Sequence, residues 1–184
     1  MKKEIRRQII HFMVGVLALV ILLYFGRFPT IAAMFMLLIV ASIFVNMRLL
    51  KMKLHIVEWA EEQFERTGVL FPGWGAASYL TGMLIALTFL PDVNQIAASI
   101  FILAVGDSLS TIIGKRGKIR LPHNNNKTLE GSLAFFLSSL PAYYFVGVLI
   151  VPLALITAIV ESMSFEIDDN LTVPVVCTVF FLVL

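Results

Sequence analysis

Long apolar runs recur along this chain at intervals too short for anything but membrane helices: Ile9–Phe25, Ile31–Val45, Ala76–Leu90, a run from Ile96, one from Thr128, Gly147–Ser162 and a last one from Leu171. Each approaches the roughly 20 apolar residues that a helix needs to cross a hydrocarbon core about 30 Å thick. Within lipid the backbone N–H and C=O groups must be paired internally, which a helix does by itself. Only 14% of the 184 residues are charged and 59% are hydrophobic, so a water-soluble surface cannot be closed. The expected fold is all-α, a polytopic membrane bundle of about seven transmembrane helices in a single domain spanning residues 1–184.

The leader Met1–Gln8 is basic, with Lys2, Lys3, Arg6 and Arg7, and runs into the first apolar stretch. That stretch exceeds a signal-peptide core and has no small-residue cleavage site before Gly26, so it reads as the first span. His11 lies inside it, where an ionisable ring must face protein or water. A turn is expected over Gly26–Pro29. Beyond span two, Leu49–Arg66 places Leu50, Leu54, Val57 and Phe64 at helical spacing, with Glu58, Glu61, Glu62 and Glu65 on the other side. This pattern predicts an amphipathic helix on the membrane surface. Gly68–Gly75 should be irregular interfacial backbone, and His11, Phe71, Pro72 and Trp74 are candidates for a lip where a lipid enters. Cys177 lies alone in an apolar run, so cysteine chemistry supplies neither a disulfide nor a metal cluster.

The polar residues inside the spans carry the functional signal. Asp107 shares a face with Leu103, Ser110, Thr111 and Gly114, a stripe rather than a scatter, and an aspartate in an apolar span is costly. Lys115, Arg116, Lys118, Arg120 and Lys127 follow in the loop to span five, with Asn124–Asn126 as polar caps. That span opens near Thr128, and a helix N-terminus beside a basic loop favours an anion such as phosphate. Lys127, Glu130, Gly131 and Ala134 share one of its faces, where small residues allow close approach. Pro141 should kink or end the span. Span six carries Thr157 and Glu161 on one face; then come Glu166, Asp168 and Asp169, and a last helix with Asn170 or Thr172 as N-cap and Pro174 in its first turn.

Counting spans puts the N-terminus, Asn46–Gly75, Gly114–Lys127 and Ser164–Asn170 on one side, together with every lysine and arginine except Arg27. By the positive-inside rule that side is cytoplasmic. Asp107, Glu130 and Glu161 then share a level with the basic loop and the aspartate pair, a layout suited to Mg²⁺ and a polyphosphate.

GDSLSTIIGKRGK (Gly106–Lys118), NKTLEGS (Asn126–Ser132) and IDDNLTVP (Ile167–Pro174), with RRQIIH (Arg6–His11) and FPGWG (Phe71–Gly75) upstream, resemble the dolichol kinase and phytol kinase family in its compact form. These are polyprenol kinases that use CTP. The resemblance implies that Asp107 helps bind the metal–nucleotide complex, that Lys115, Arg116 and Lys127 contact phosphates, and that Glu130 and Asp168–Asn170 complete the site. Asp107 and Glu130 are then the metal candidates. Ser108, Thr111, Gly114, Lys118 and Thr128 join the nucleotide-binding set, and Asp107, Glu161, Asp168 and Asp169 form the catalytic one. The preference for CTP comes from the resemblance alone.

The expected reaction is transfer of the γ-phosphate of CTP to the hydroxyl of a long isoprenoid alcohol held in the bilayer, with Mg²⁺ as cofactor. Asp169, Asp168 and Glu161 are candidates for the group that takes or orients the alcohol's proton. No G-x-x-x-x-G-K-[ST] is present, so the phosphate site would lie outside the P-loop design. A cytidylyltransferase forming a CDP-lipid is the nearest rival, and an ion or lipid-phosphate transporter is a second, although no repeat relates the two halves of the chain. Nucleic acid is not an expected partner, and a homo-oligomer is compatible with the sequence. A prokaryotic plasma membrane suits the small size and basic leader better than an internal membrane does.

Overall fold

The computed structural model describes residues 2–50, 55, 73–163 and 167–184. Helix α1 (Lys2–Phe25) carries the basic leader and the first apolar run as one element, and α2 (Arg27–Leu49) follows after a single residue. The turn expected over Gly26–Pro29 therefore shrinks to Gly26, whose φ of 86° glycine adopts without a Cβ penalty. Pro29 falls on the third helical residue, where an N–H would have had no intrahelical partner. The expected surface helix at Leu49–Arg66 and the irregular Gly68–Gly75 lie outside the described residues apart from Leu49, Leu50, His55 and Gly73–Gly75, so Phe71 and Pro72 do too.

Helix α3 (Trp74–Phe89) starts at Trp74 itself. Helix α4 (Val93–Gly114) begins three residues before the expected Ile96, because the Asp92 carboxylate accepts the Asn94 amide at 2.8 Å and caps it early. A π-helical turn, Ile102–Gly106, lies directly ahead of Asp107. The wider turn takes up an extra residue just ahead of the stripe that Asp107, Ser110, Thr111 and Gly114 keep in the regular turns beyond it.

The basic loop is a hairpin rather than irregular chain. Strand β1 (Arg120–Leu121) pairs antiparallel with β2 (Asn124–Thr128), Arg120 opposite Thr128. Asn124–Asn126, expected as helix caps, are strand residues. Thr128 then caps α5 (Leu129–Ser139), accepting the Gly131 amide at 3.2 Å. A 3₁₀ turn at Leu140–Ala142 forms around Pro141, and α6 (Tyr143–Val146) leads to Gly147, whose φ of 59° reverses the chain into α7 (Ile150–Ser162). Helix α8 (Asp169–Val183) is capped by Asp168, neither Asn170 nor Thr172, since the Asp168 carboxylate reaches the Asn170 amide at 3.0 Å. That earlier start leaves Pro174 inside the helix instead of in its first turn.

By length and composition four helical stretches can cross a membrane: Lys3–Phe25, Arg27–Leu49, Val93–Gly114 and Leu129–Ser162, the last broken at Gly147 into arms that pack on each other. Trp74–Phe89 and Asp169–Val183 are shorter apolar helices. The protein is an all-helical membrane bundle, and its apolar exteriors on α1 and α2 face where lipid would lie. The expected count of about seven spans depends on including the two shorter helices and dividing Leu129–Ser162 at Gly147.

Close backbone contacts hold the bundle, as expected where lipid removes the hydrophobic drive between helices. Gly131 of α5 meets Gly114 of α4 so closely that an added Cβ would lie 3.0 Å from the Gly114 Cα. On α3, Gly82 makes room for α8: a Cβ there would fall 2.3 Å from the Asn170 carbonyl oxygen and 2.8 Å from the Pro174 ring. Proline at 174 has no N–H to give that carbonyl, so the oxygen and the ring press on α3 together. Gly82→Ala should consequently destabilise the protein in detergent by about 1–3 kcal/mol, the usual cost of overpacking. Gly75→Ala, with nothing within 4 Å of its Cβ position, should cost nothing in the same thermal or denaturant titration.

Candidate active site

Four segments far apart in sequence meet at one end of the bundle. Asp107 comes from α4, Lys127 from β2, Glu161 from the last turn of α7 and Asp169 from the first turn of α8. One ligand atom each from Asp107, Glu161 and Asp169 can be chosen so that all lie within 4.8 Å of one another. Asp107 and Glu161 are only 3% exposed. Three carboxylates this close, two of them buried, repel strongly unless a cation joins them. Lys127 is that cation: its ammonium donates to Glu161 and, at 2.9 Å, to Asp169.

Strand geometry delivers the lysine. The hairpin is tied to the end of α7, where the Asn124 amide donates to the Ser162 carbonyl and the His123 ring lies within hydrogen-bonding distance of the Ser162 hydroxyl, both at 3.2 Å. An Asx turn, the Asn126 amide on the Asn124 side chain at 3.1 Å, fixes the strand behind it. Burial works against the Lys127 charge, but the carboxylates of Asp169, Glu161 and Asp107 outweigh it and hold its pKa above the ordinary lysine value.

Ser110 donates to the Glu161 carboxylate at 3.1 Å, while the other Glu161 oxygen, Oε2, is buried with no hydrogen-bond partner. The Asn170 side chain donates to Asp168 at 2.8 Å, and its own oxygen is buried and unpartnered as well. Orphaned acceptors are costly in an apolar setting. Two of them beside a carboxylate cluster are what a cation or a donor from a ligand would complete. The separation of the three carboxylates also suits a metal, since ligand oxygens around one Mg²⁺ stand about 3–4 Å apart.

The structure separates the sequence-predicted residues into groups. Asp107, Glu161, Asp169 and Lys127 converge, with Asn170 beside them. Asp168 does not reach this cluster through its capping oxygen, which is taken by the Asn170 amide and side chain. Glu130 is also elsewhere: it accepts the Lys118 amide at 2.7 Å and the Ile119 amide at 3.3 Å, so the cluster of potential metal ligands is Asp107, Glu161 and Asp169, without Glu130. Lys115, Arg116 and Lys118 stand exposed on the turn after α4. Thr128 and Gly114 bond to each other at 3.1 Å, hydroxyl to carbonyl. Ser108 donates to the Gln8 carbonyl at 3.3 Å, Thr111 is half-buried, and Trp74 is half-exposed at the start of α3. His11 is buried against Tyr79, ring centroids 4.4 Å apart, with the Tyr79 hydroxyl donating to its carbonyl. That is a helix-packing contact between α1 and α3.

The N-terminus of α5, expected to bind phosphate, is closed by the protein itself. Its Leu129 amide donates to the Ile119 carbonyl at 2.9 Å and its Gly131 amide to Thr128. Phosphate would have to be met by side chains of the neighbouring turn.

The RRQIIH stretch entered the sequence reading as a motif, with no site role given to Arg7 or Gln8. Arg7 and Gln8 are buried, Arg7 lies within electrostatic reach of Asp107, and Glu4 holds both Arg7 and, at 3.1 Å, Lys115. The available signal was the spacing of Arg7, Gln8 and His11, three polar residues on one helix face leading into an apolar run.

No family model matches the chain, and no solved structure matches it. An uncharacterized protein of Methanocaldococcus jannaschii is 47% identical over 105 residues, 55% of this chain and 54% of that protein. Plant relatives are more distant. They are named as phytol kinases. A probable chloroplastic phytol kinase 3 of Glycine max is 39% identical over 98 residues, 42% of this chain and 30% of its own length. A probable chloroplastic phytol kinase 2 of Oryza sativa is 33% identical over 122 residues, 54% of this chain and 40% of its own length. The chain thus spans about half of the archaeal relative, and less of the plant ones.

Removing the central cation tests the electrostatic account. Lys127→Met should cost about 3 kcal/mol of stability at neutral pH, the scale for breaking a buried ion pair, and the gap to the parent protein should narrow as the pH falls and the carboxylates take up protons. While the carboxylates are charged, the parent's raised lysine pKa keeps its contribution in full up to the ordinary lysine value, with loss at the alkaline end only above about pH 10. Thermal unfolding across pH reads both.

Proposed function

We propose that this protein is a lipid kinase that transfers the γ-phosphate of CTP to the hydroxyl of an isoprenoid alcohol at the cytoplasmic face of the membrane. The observation that carries the reading is the convergence of Asp107, Glu161 and Asp169 around Lys127 beside an exposed basic turn, on helices that reach into the bilayer. The phytol kinase names of the plant relatives support an isoprenoid alcohol as acceptor. CTP as donor rests on the motif resemblance, and the cytoplasmic orientation on the positive-inside distribution of lysine and arginine.

In this reading the triphosphate lies over the turn Lys115–Lys118, whose cationic side chains offset its charge. The alcohol lies among the helices with its hydroxyl at the carboxylate level. Its oxygen forms a bond to the γ-phosphorus as the bond to the β-phosphate oxygen breaks, and a nucleoside diphosphate leaves. The alcohol's proton passes to a carboxylate. Asp169 suits this step better than Asp168, because it faces the cluster while Asp168 is occupied as a helix cap. Glu161 is the other candidate. Asp107, Glu161 and Asp169 would hold Mg²⁺, which when bound supplies charge neutralisation and orientation of phosphate oxygens. Chemistry of this class depends mainly on positioning and charge.

The deciding assay is performed in detergent with γ-³²P-labelled CTP, Mg²⁺ and phytol, geranylgeraniol or polyprenols. Label should enter the organic phase, and Asp107→Asn should reduce this at least about a hundredfold. Label entering lipid only from α-³²P-labelled CTP with a lipid phosphate would instead identify a cytidylyltransferase. A metal readout independent of turnover is thermal: Mg²⁺ or Mn²⁺ should raise the unfolding temperature of the parent protein, and Glu161→Gln should abolish the increment.

A further inference from the structure

The turn between α4 and β1 is held by a set of contacts that the phosphate chemistry does not itself require. Its start is fixed where the Thr128 hydroxyl donates to the Gly114 carbonyl at 3.1 Å. The amides of Arg116 and Gly117 fold back on the carbonyls of Ile113 and Gly114, at 2.9 and 3.1 Å. Its end is fixed where Glu130 takes the Lys118 and Ile119 amides and the Ile119 carbonyl takes the Leu129 amide. Between these ends Gly117 has no room for a side chain: a Cβ would stand 2.5 Å from the Thr128 hydroxyl and 2.8 Å from a Glu130 carboxylate oxygen. The exposed side chains of Lys115 and Arg116 project from this pinned segment.

We propose that Glu130 is a positioning residue, a clamp that uses its carboxylate to fix the backbone of the turn Gly114–Ile119 and so presents Lys115 and Arg116 to phosphate. The inference rests on reading that turn as the triphosphate site. Two consecutive amides on one carboxylate make charge-assisted hydrogen bonds, which are stronger than neutral ones. A turn ordered beforehand spares the ligand the entropy of ordering it, so the clamp acts on affinity. Gly117 belongs to the same device, because the carboxylate and the Thr128 hydroxyl can close over the turn only where no Cβ intervenes.

Hydrogen exchange and steady-state kinetics test the clamp together, on Glu130→Ala, Glu130→Gln, Gly117→Ala and the Ala–Ala double variant in detergent. Exchange at the Lys118 and Ile119 amides should accelerate at least about tenfold in Glu130→Ala, and less in Glu130→Gln, whose amide oxygen still accepts. Each alanine variant should raise the KM for CTP about tenfold with a smaller effect on kcat, and the double variant should be no worse than either single one. The Mg²⁺ concentration giving half-maximal rate should stay unchanged. Unaltered exchange in Glu130→Ala would overturn the proposal. So would a Gly117→Ala enzyme equal to the parent beside a Glu130→Ala enzyme with a raised Mg²⁺ requirement, since that pattern belongs to a metal ligand. If the parent protein transfers no phosphate from CTP, the functional reading fails separately, and exchange alone then decides whether Glu130 holds the turn.

Discussion

One ammonium group joins segments of this protein that lie far apart in the sequence. Lys127 stands where the ends of α4, α7 and α8 bring three carboxylates together at the edge of an apolar bundle. Without a cation those helix ends would repel one another, and in a medium of low dielectric the repulsion falls off slowly. With the lysine in place, convergence becomes favourable, and the helices can end at a common level. The same attraction constrains the hairpin, whose strand is anchored on Ser162 and carries the ammonium to that level.

This arrangement suits a site that handles phosphate. A lysine shared between two carboxylates can turn toward an incoming anion while another cation takes up the carboxylates it leaves. The buried, unpartnered oxygens of Glu161 and Asn170 show that the resting site is not fully satisfied by the protein. Around it the backbone is tightly closed. Gly114 against Gly131 lets α4 and α5 approach, and the first amides of α5 are consumed by the turn that wraps them. Side chains, not a helix terminus, are therefore what the surface offers to a ligand.

Much of this was legible in the sequence because it follows from residue type and spacing. Apolar runs gave the helices, the costly Asp107 and Glu161 marked the buried end of the bundle, and the three ordered motifs named the segments that converge. What escaped depends on backbone geometry, which has no letter of its own. The π-turn before Asp107 is marked by no residue type. Asp168 was one of two adjacent aspartates, and only the direction of the Asn170 amide distinguishes cap from cluster member. Glu130 looked like a metal ligand from its company, whereas its partners are the main-chain amides of Lys118 and Ile119. Arg7 and Gln8 stood within the RRQIIH motif, but their burial against the site is a matter of helix packing.

The asparagine run Asn124–Asn126 has an implication for how the chain tolerates insertions and deletions. Three identical residues give a strand no side-chain pattern from which to choose its register, and a shift by one residue turns each side chain to the opposite face. Here the alignment is chosen by the anchors of the first and last asparagines instead. Loss of a single residue from the run, a conservative change by composition, would carry the Lys127 side chain into water and place the Thr128 hydroxyl among the acids. Length, more than chemical identity, is what natural variation must preserve in this short segment.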